Sequence, residues 1–166
     1  MAGAVVPRGG LTNDDRAKMK IKEFLSTDDT LIDVRASDKT RLLADLSKRA
    51  ASALALDEAA IENELSKREE LGSTGVGAGI AIPHARIAGL ARPYGILACL
   101  GKAIDFAAID GAPVDVVFLL LLPAAPSGDQ LNALADVARK LRDPVRVITL
   151  RRAASAAELY QAITAE

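Results

Sequence analysis

The stretch Val114-Asp-Val-Val-Phe-Leu-Leu-Leu-Leu122 carries one charge, at its second position, and is apolar from there on. A strand this apolar cannot leave a face in water, so it has to lie in the middle of a sheet with packed layers above and below. Gly95-Ile-Leu-Ala-Cys-Leu-Gly101 is a second apolar run bounded by glycines, and reads as another strand buried on both faces. The longest apolar run, Val116 to Ala125, falls far short of the ~20 residues a membrane helix needs and contains Pro123. These strands therefore belong to a packed core.

Around them the pattern alternates between strand and helix. Asn13 or Asp14 is placed to cap a short helix through Met19, Ile21 and Phe24 to Leu25, and Leu31-Ile-Asp-Val34 reads as a first strand. Ser37 is an N-cap candidate for a helix from Asp38 to about Ala53, whose Leu42, Leu43, Leu46 and Ala50 form one apolar stripe. Asp57 opens a second helix burying Ile61 and Leu65 and closing at Leu71-Gly72. Its last turns, Lys67-Arg-Glu-Glu70, read as a solvated charge run, with Arg68 close enough in sequence to the following glycines to be part of a site. Asp105 to Gly111 is a connecting segment ending in an Asp-Gly turn. After Pro123 and Pro126, Ser127 or Asp129 caps a helix through Leu131, Leu134, Val137, Ala138 and Leu141. Asp143-Pro144 starts a short helix, against the β-propensity of Val145-Arg-Val-Ile-Thr-Leu150, because Asp at N-cap with Pro at N1 suits a helix start. Ser155-Ala-Ala-Glu158 is a capping box before a terminal helix. The expected fold is α/β, a single domain with a mixed central sheet flanked by helices on both faces. Residues 1–18 are expected to be a disordered segment ahead of a domain spanning 19–166.

With 166 residues the chain holds one sizeable core, and its 50% hydrophobic content is mostly aliphatic, with 3% aromatics. A net charge of −1 with mixed signs, and few aromatics to stack on bases, argue against nucleic acid as a partner. The single Cys99 cannot form an internal disulfide, and the first residues lack the basic and apolar regions of a secretory signal, so a cytoplasmic location without membrane insertion is expected.

Chemistry concentrates in Leu71-Gly-Ser-Thr-Gly-Val-Gly-Ala-Gly-Ile-Ala-Ile-Pro-His84, which ends on the one histidine of the chain. Four glycines, Gly72, Gly75, Gly77 and Gly79, are costly to order, so the backbone there must do something a side chain would obstruct. The run reads as irregular backbone feeding a short strand that delivers His84 at its end. An imidazole is able to be neutral and nucleophilic near pH 7, and glycine, Ser and Thr amides approach anions closely, which suits a phosphoryl group. A buried packing histidine beside a loop is the competing reading at this level. Dinucleotide and P-loop fingerprints are absent, since Ile80 stands where a third glycine would be needed and no Gly-Lys-Ser/Thr follows. A metal site would need ligands besides His84, and the chain has no second histidine or cysteine pair. A Ser-His-Asp hydrolase using Ser73 with Asp105 or Asp110 lacks the nucleophile elbow.

Arg68-Glu-Glu-Leu-Gly-Ser-Thr-Gly-Val-Gly-x-Gly-Ile-Ala-Ile-Pro-His84 and Ile104-Asp-Phe-x-Ala-Ile-Asp-Gly-x-Pro-Val-Asp115 resemble the IIA domain of the mannitol/fructose class of the bacterial phosphotransferase system, in its nitrogen-regulatory branch. The resemblance covers about residues 19 to 164. It implies a phosphocarrier whose His84 accepts a phosphoryl group on Nε2 from an HPr-like phosphocarrier protein, with no cofactor and no metal. Arg68 matches the arginine that offsets phosphoryl charge, and Ser73, Thr74 and Gly75 are the candidate donors to phosphoryl oxygens. Where many members of the family carry a second histidine, this chain has Gln130, a neutral donor unable to carry charge. The function implied is regulation of target proteins by phosphorylation state, with potassium transport or a sensor kinase among the targets the resemblance suggests. The alternatives are a sugar-specific IIA component serving a IIB domain and a binding module whose histidine is unused.

Overall fold

A computed structural model describes residues 19–125 and 128–166, apart from the side chains of 128–130. The expected disorder of residues 1–18, a helix start at Asn13 or Asp14, and capping by Ser127 or Asp129 lie outside the described residues. The described part of the first segment is a single 3-10 turn, Ile21–Glu23, entered from Lys20.

Six strands form one mixed sheet: β1 (Thr30–Val34), β2 (Gly75–Gly77), β3 (Ile80–Ala81), β4 (His84–Ile87), β5 (Tyr94–Ile104) and β6 (Val114–Pro123). Their order is β1-β5-β6-β3-β2, with β4 also on β6. β6 is central, as its apolarity requires. It runs antiparallel to β5 on one side and parallel to β3 and β4 on the other, where Ile80 pairs with Val116 and His84 with Leu120.

Five α-helices cover the sheet: α1 (Lys39–Leu54), α2 (Glu58–Glu70), α3 (Gly128–Leu141), α4 (Pro144–Arg152) and α5 (Ala156–Thr164). Alternation along β6 divides the core. Val117, Leu119 and Leu121 pack with α1 and α2, whereas Val116, Phe118, Leu120 and Leu122 pack with α3, α4 and α5. Burying both faces of one strand in this way is what makes β6 apolar throughout.

The helix starts follow their capping residues. Asp57, Asp143 and Ser155 each accept a backbone N–H in the first turn of their helix, and Pro144 occupies the first turn of α4. At α1 the cap is Asp38 rather than Ser37: the Asp38 carboxylate accepts from the Arg41 amide at 2.8 Å. A carboxylate also offsets the helix dipole, which a hydroxyl does not.

The glycine run makes a hairpin rather than a continuous lead-in. β2 and β3 pair antiparallel around Gly77-Ala78-Gly79, where all three residues have positive φ, a turn that two glycines make accessible. Arg151 of α4 holds its tip, donating from Nη2 to the Ala78 carbonyl at 2.7 Å while gripping both Asp115 oxygens at 2.8 to 3.2 Å. The short strand also stops before the histidine. β3 ends at Ala81, and Pro83, which has no N–H, breaks the ladder, so His84 opens the next strand instead of closing this one.

Candidate functional site

β3 and β4 continue one another along the same edge of β6, interrupted at Ile82-Pro83. Across the break the backbone stays engaged: the Ile82 amide donates to the Thr74 carbonyl at 3.0 Å, and the Pro83 carbonyl accepts from Leu120 at 2.9 Å. Beyond it, Ala85 and Ile87 turn into the core beneath α1 and α2. His84 and Arg86, alternate residues of the same strand, therefore project to the opposite side.

The half-buried His84 ring lines an open cleft of about 390 Å³ between the end of α2, β4 and the start of α3. Its Nδ1 lies 2.8 Å from the Ile82 carbonyl oxygen. A carbonyl only accepts, so Nδ1 carries a proton, and in the neutral ring the lone pair is on Nε2. Among the described residues Nε2 has no hydrogen-bond partner. A buried packing histidine would satisfy both nitrogens; this one leaves Nε2 unpaired among the described residues.

Arg68, in the last turn of α2, lines the same cleft and is tethered, donating from Nη1 to the Gly72 carbonyl at 2.8 Å. Arg68 and His84 are thus brought together as the sequence suggests. Lys67 and Glu64 also line the cleft and pair with each other at 3.4 Å. Leu71 and Leu131 form an apolar rim, 86% and 74% exposed, large values for leucines beside a cleft.

Ser73, Thr74 and Gly75 are placed differently. The Ser73 hydroxyl donates to the Phe106 carbonyl at 2.6 Å and accepts from the Gly75 amide at 3.0 Å. Thr74 is buried, with its hydroxyl and amide both donating to Glu69. A Cβ on Gly75 would stand 2.8 Å from the Cβ of Ala108, so that glycine is there for close approach to the loop after β5. None of the three lines the cleft, and their donors are committed to anchoring the hairpin. Gln130 falls in the first turn of α3, next to Leu131 of the rim, and its side chain lies outside the described residues.

Two features escape a reading of the sequence by charge alone. Glu69, taken above as part of a solvated run, has a side chain only 7% exposed; it accepts from Lys39 Nζ at 2.9 Å as well as from Thr74. Lys39 in turn donates to the Phe106 carbonyl at 3.2 Å and sits 5.0 Å from the Phe106 ring centre. The signal was there in the spacing, since Glu69 continues the Ile61-Leu65 stripe at four-residue steps. Arg86 is the second, found by the two-residue period from His84.

A family model described as "Phosphoenolpyruvate-dependent sugar phosphotransferase system, EIIA 2" matches residues 23–166. A nitrogen regulatory protein of Bradyrhizobium diazoefficiens is 38% identical over 145 residues, covering 87% of this chain and 95% of the relative. A nitrogen regulatory protein of Escherichia coli K12 is 38% identical over 155 residues, covering 93% and 94%. The crystal structure of the nitrogen regulatory protein IIA-Ntr from Neisseria meningitidis superposes with a TM-score of 0.81 at 32% identity, over 87% of this chain and 99% of that one.

Proposed function

Because the chain belongs to the EIIA 2 family of the phosphoenolpyruvate-dependent sugar phosphotransferase system, we propose that it is a phosphoryl carrier of the nitrogen-regulatory kind, loaded at Nε2 of His84. The observation that carries the reading is the Nδ1 bond to the Ile82 carbonyl, which puts the lone pair of the neutral ring on Nε2, in an open cleft beside an arginine.

The donor is the phosphohistidine of an HPr-like phosphocarrier. The Nε2 lone pair attacks phosphorus in line; one N–P bond forms as another breaks, and the electron pair of the breaking bond returns to the donor ring. The proton stays on Nδ1, hydrogen-bonded to the Ile82 carbonyl, so the positive charge that develops on the ring is met by a fixed dipole. Positioning and charge neutralisation supply the acceleration. Arg68 provides the charge, its guanidinium oriented by the Gly72 carbonyl. Ser73, Thr74 and Gly75 enter as supports of the hairpin that precedes the histidine, and Gln130, in the first turn of α3, is assigned the role of a neutral donor.

Regulation follows from the charge added to the cleft. A phosphoryl group brings about −1.5 to −2 charges to a site rimmed by Leu71 and Leu131, so a target protein that docks on the apolar rim meets a different surface in each state. The relay to which such a carrier belongs is cytoplasmic.

The test is incubation with phosphoenolpyruvate, enzyme I and an HPr-like donor, followed by intact mass on the wild type and His84→Ala. One acid-labile phosphate on the wild type alone is expected. An unmodified wild type, with a donor shown to be active, would overturn the proposal.

A further inference from the structure

The geometry points to Arg86 as the second phosphoryl-binding residue of the cleft and the mobile one: free before transfer, closed on the phosphoryl group of phospho-His84 afterwards. The inference rests on the reading of His84 as the phosphorylated residue.

The cations of this region are otherwise engaged. Lys39 is paired with Glu69, Lys67 with Glu64, and Arg68 is tied to the Gly72 carbonyl. Arg86 lines the same cleft and is exposed, and among the described residues its guanidinium makes no hydrogen bond or ion pair. Its position on β4 is fixed by pairing with Leu122, two residues along from the pair His84 and Leu120, so both side chains leave the same face of one strand about 7 Å apart. An extended arginine side chain covers that distance. A long, exposed guanidinium lining the same cleft as His84 is within reach of a phosphoryl dianion on Nε2, whose oxygens are acceptors for a bidentate contact.

The two arginines then divide the work. Arg68, held by the backbone, presents its charge before the donor arrives. Arg86 responds to the product, since it has no contact to give up and gains one only when His84 is phosphorylated. A target protein would then meet both a new anion and a displaced arginine.

The single histidine makes the test clean, because any phosphohistidine signal belongs to His84. Potassium phosphoramidate serves as the probe: Nε2 attacks its phosphorus, the P–N bond breaks, and the nitrogen leaves with a proton as ammonia, so no protein donor is needed. The 31P chemical shift of phospho-His84 is then followed against pH in wild type, Arg86→Ala and Arg86→Lys, at low and high salt. A nearby cation favours the dianion, so Arg86→Ala is expected to raise the phosphoryl titration midpoint by about half a pH unit. Arg86→Lys should recover most of that shift, and high salt should shrink the difference. Urea midpoints should stay level, Arg86 being exposed. A titration unchanged in Arg86→Ala would overturn the inference and leave the carrier reading standing. A wild type that takes no phosphate at His84 would overturn both.

Discussion

The imidazole of His84 is held by the carbonyl of Ile82, two residues back, through a 2.8 Å hydrogen bond from Nδ1. The bond spans the break in the strand at Pro83, so the same interruption that ends β3 supplies the acceptor that sets the tautomer. Phosphorylation is therefore expected at Nε2 alone. Two-dimensional 15N NMR of the loaded, ring-labelled protein distinguishes the isomers, and phosphate on Nδ1 would show that the ring turns over before reacting.

Arg68 donates to a carbonyl at the end of its own helix, a contact that matters for aim more than for stability. Arg68→Ala should slow phosphoryl acceptance by about 10²-fold, the scale for losing one positioned charge stabiliser. Its unfolding free energy should change by less than about 1 kcal/mol. Rapid-quench transfer and urea unfolding measure the two, and a large stability loss with normal transfer would reverse the assignment.

Glu69 is the acceptor that joins α1, α2 and the hairpin. Removing it leaves Lys39 without its carboxylate and Thr74 with two donors unmet. Glu69→Ala should cost about 3 kcal/mol in urea unfolding. Amide exchange at Ile82, whose N–H bonds the Thr74 carbonyl, should quicken with it. A loss of stability without faster exchange there would mean that the network does not hold the hairpin.

Cys99 is partly buried, and burial first, then the Asp115 carboxylate, pushes its thiol from the usual 9.0 up to about 12, with Arg151 opposing. A pKa raised by folding contributes stability that is complete below the unfolded value and lost as pH rises toward the folded one. The urea midpoint should therefore fall between about pH 9 and 12, and less steeply in Cys99→Ala. Burial raises the Tyr94 phenol as well, so part of the fall should survive the substitution. Iodoacetamide at pH 8 should label the native thiol far more slowly than the unfolded one.

Much of this was legible in the residues because single physical demands fixed it. Nine positions from Val114 to Leu122 with one charge can only be a central strand, and Asp57, Asp143-Pro144 and Ser155 mark helix starts by donors that need acceptors. The family resemblance implied Nε2 as the acceptor nitrogen, and the Ile82 contact is the physical ground on which that is proposed. Less legible was the use of the glycine run. Glycine, Ser and Thr amides suit an anion, but they suit a buried carboxylate and a neighbouring loop equally well, and in this fold Thr74 goes to Glu69 while Gly75 goes to Ser73 and Ala108. Which acceptor wins depends on α1 and on the loop after β5, both remote in sequence. The solvated reading of Glu69 failed for a related reason, since a charge on a core stripe is stable only if a distant lysine meets it.

β4 has one strand partner among the described residues, β6, and the pairing is parallel. A parallel partner cannot come from a tight turn, and here β5 and the loop beyond it must be made before β6 exists. During synthesis, then, His84 emerges well ahead of the strand that places it, and closing that long loop is the slow kind of step. A ribosome-bound chain ending before Val114 would carry the histidine with nothing to align it. Under the proposed carrier function, the chain becomes competent only when its most apolar segment has left the exit tunnel, so premature loading of an unfinished chain is disfavoured by topology.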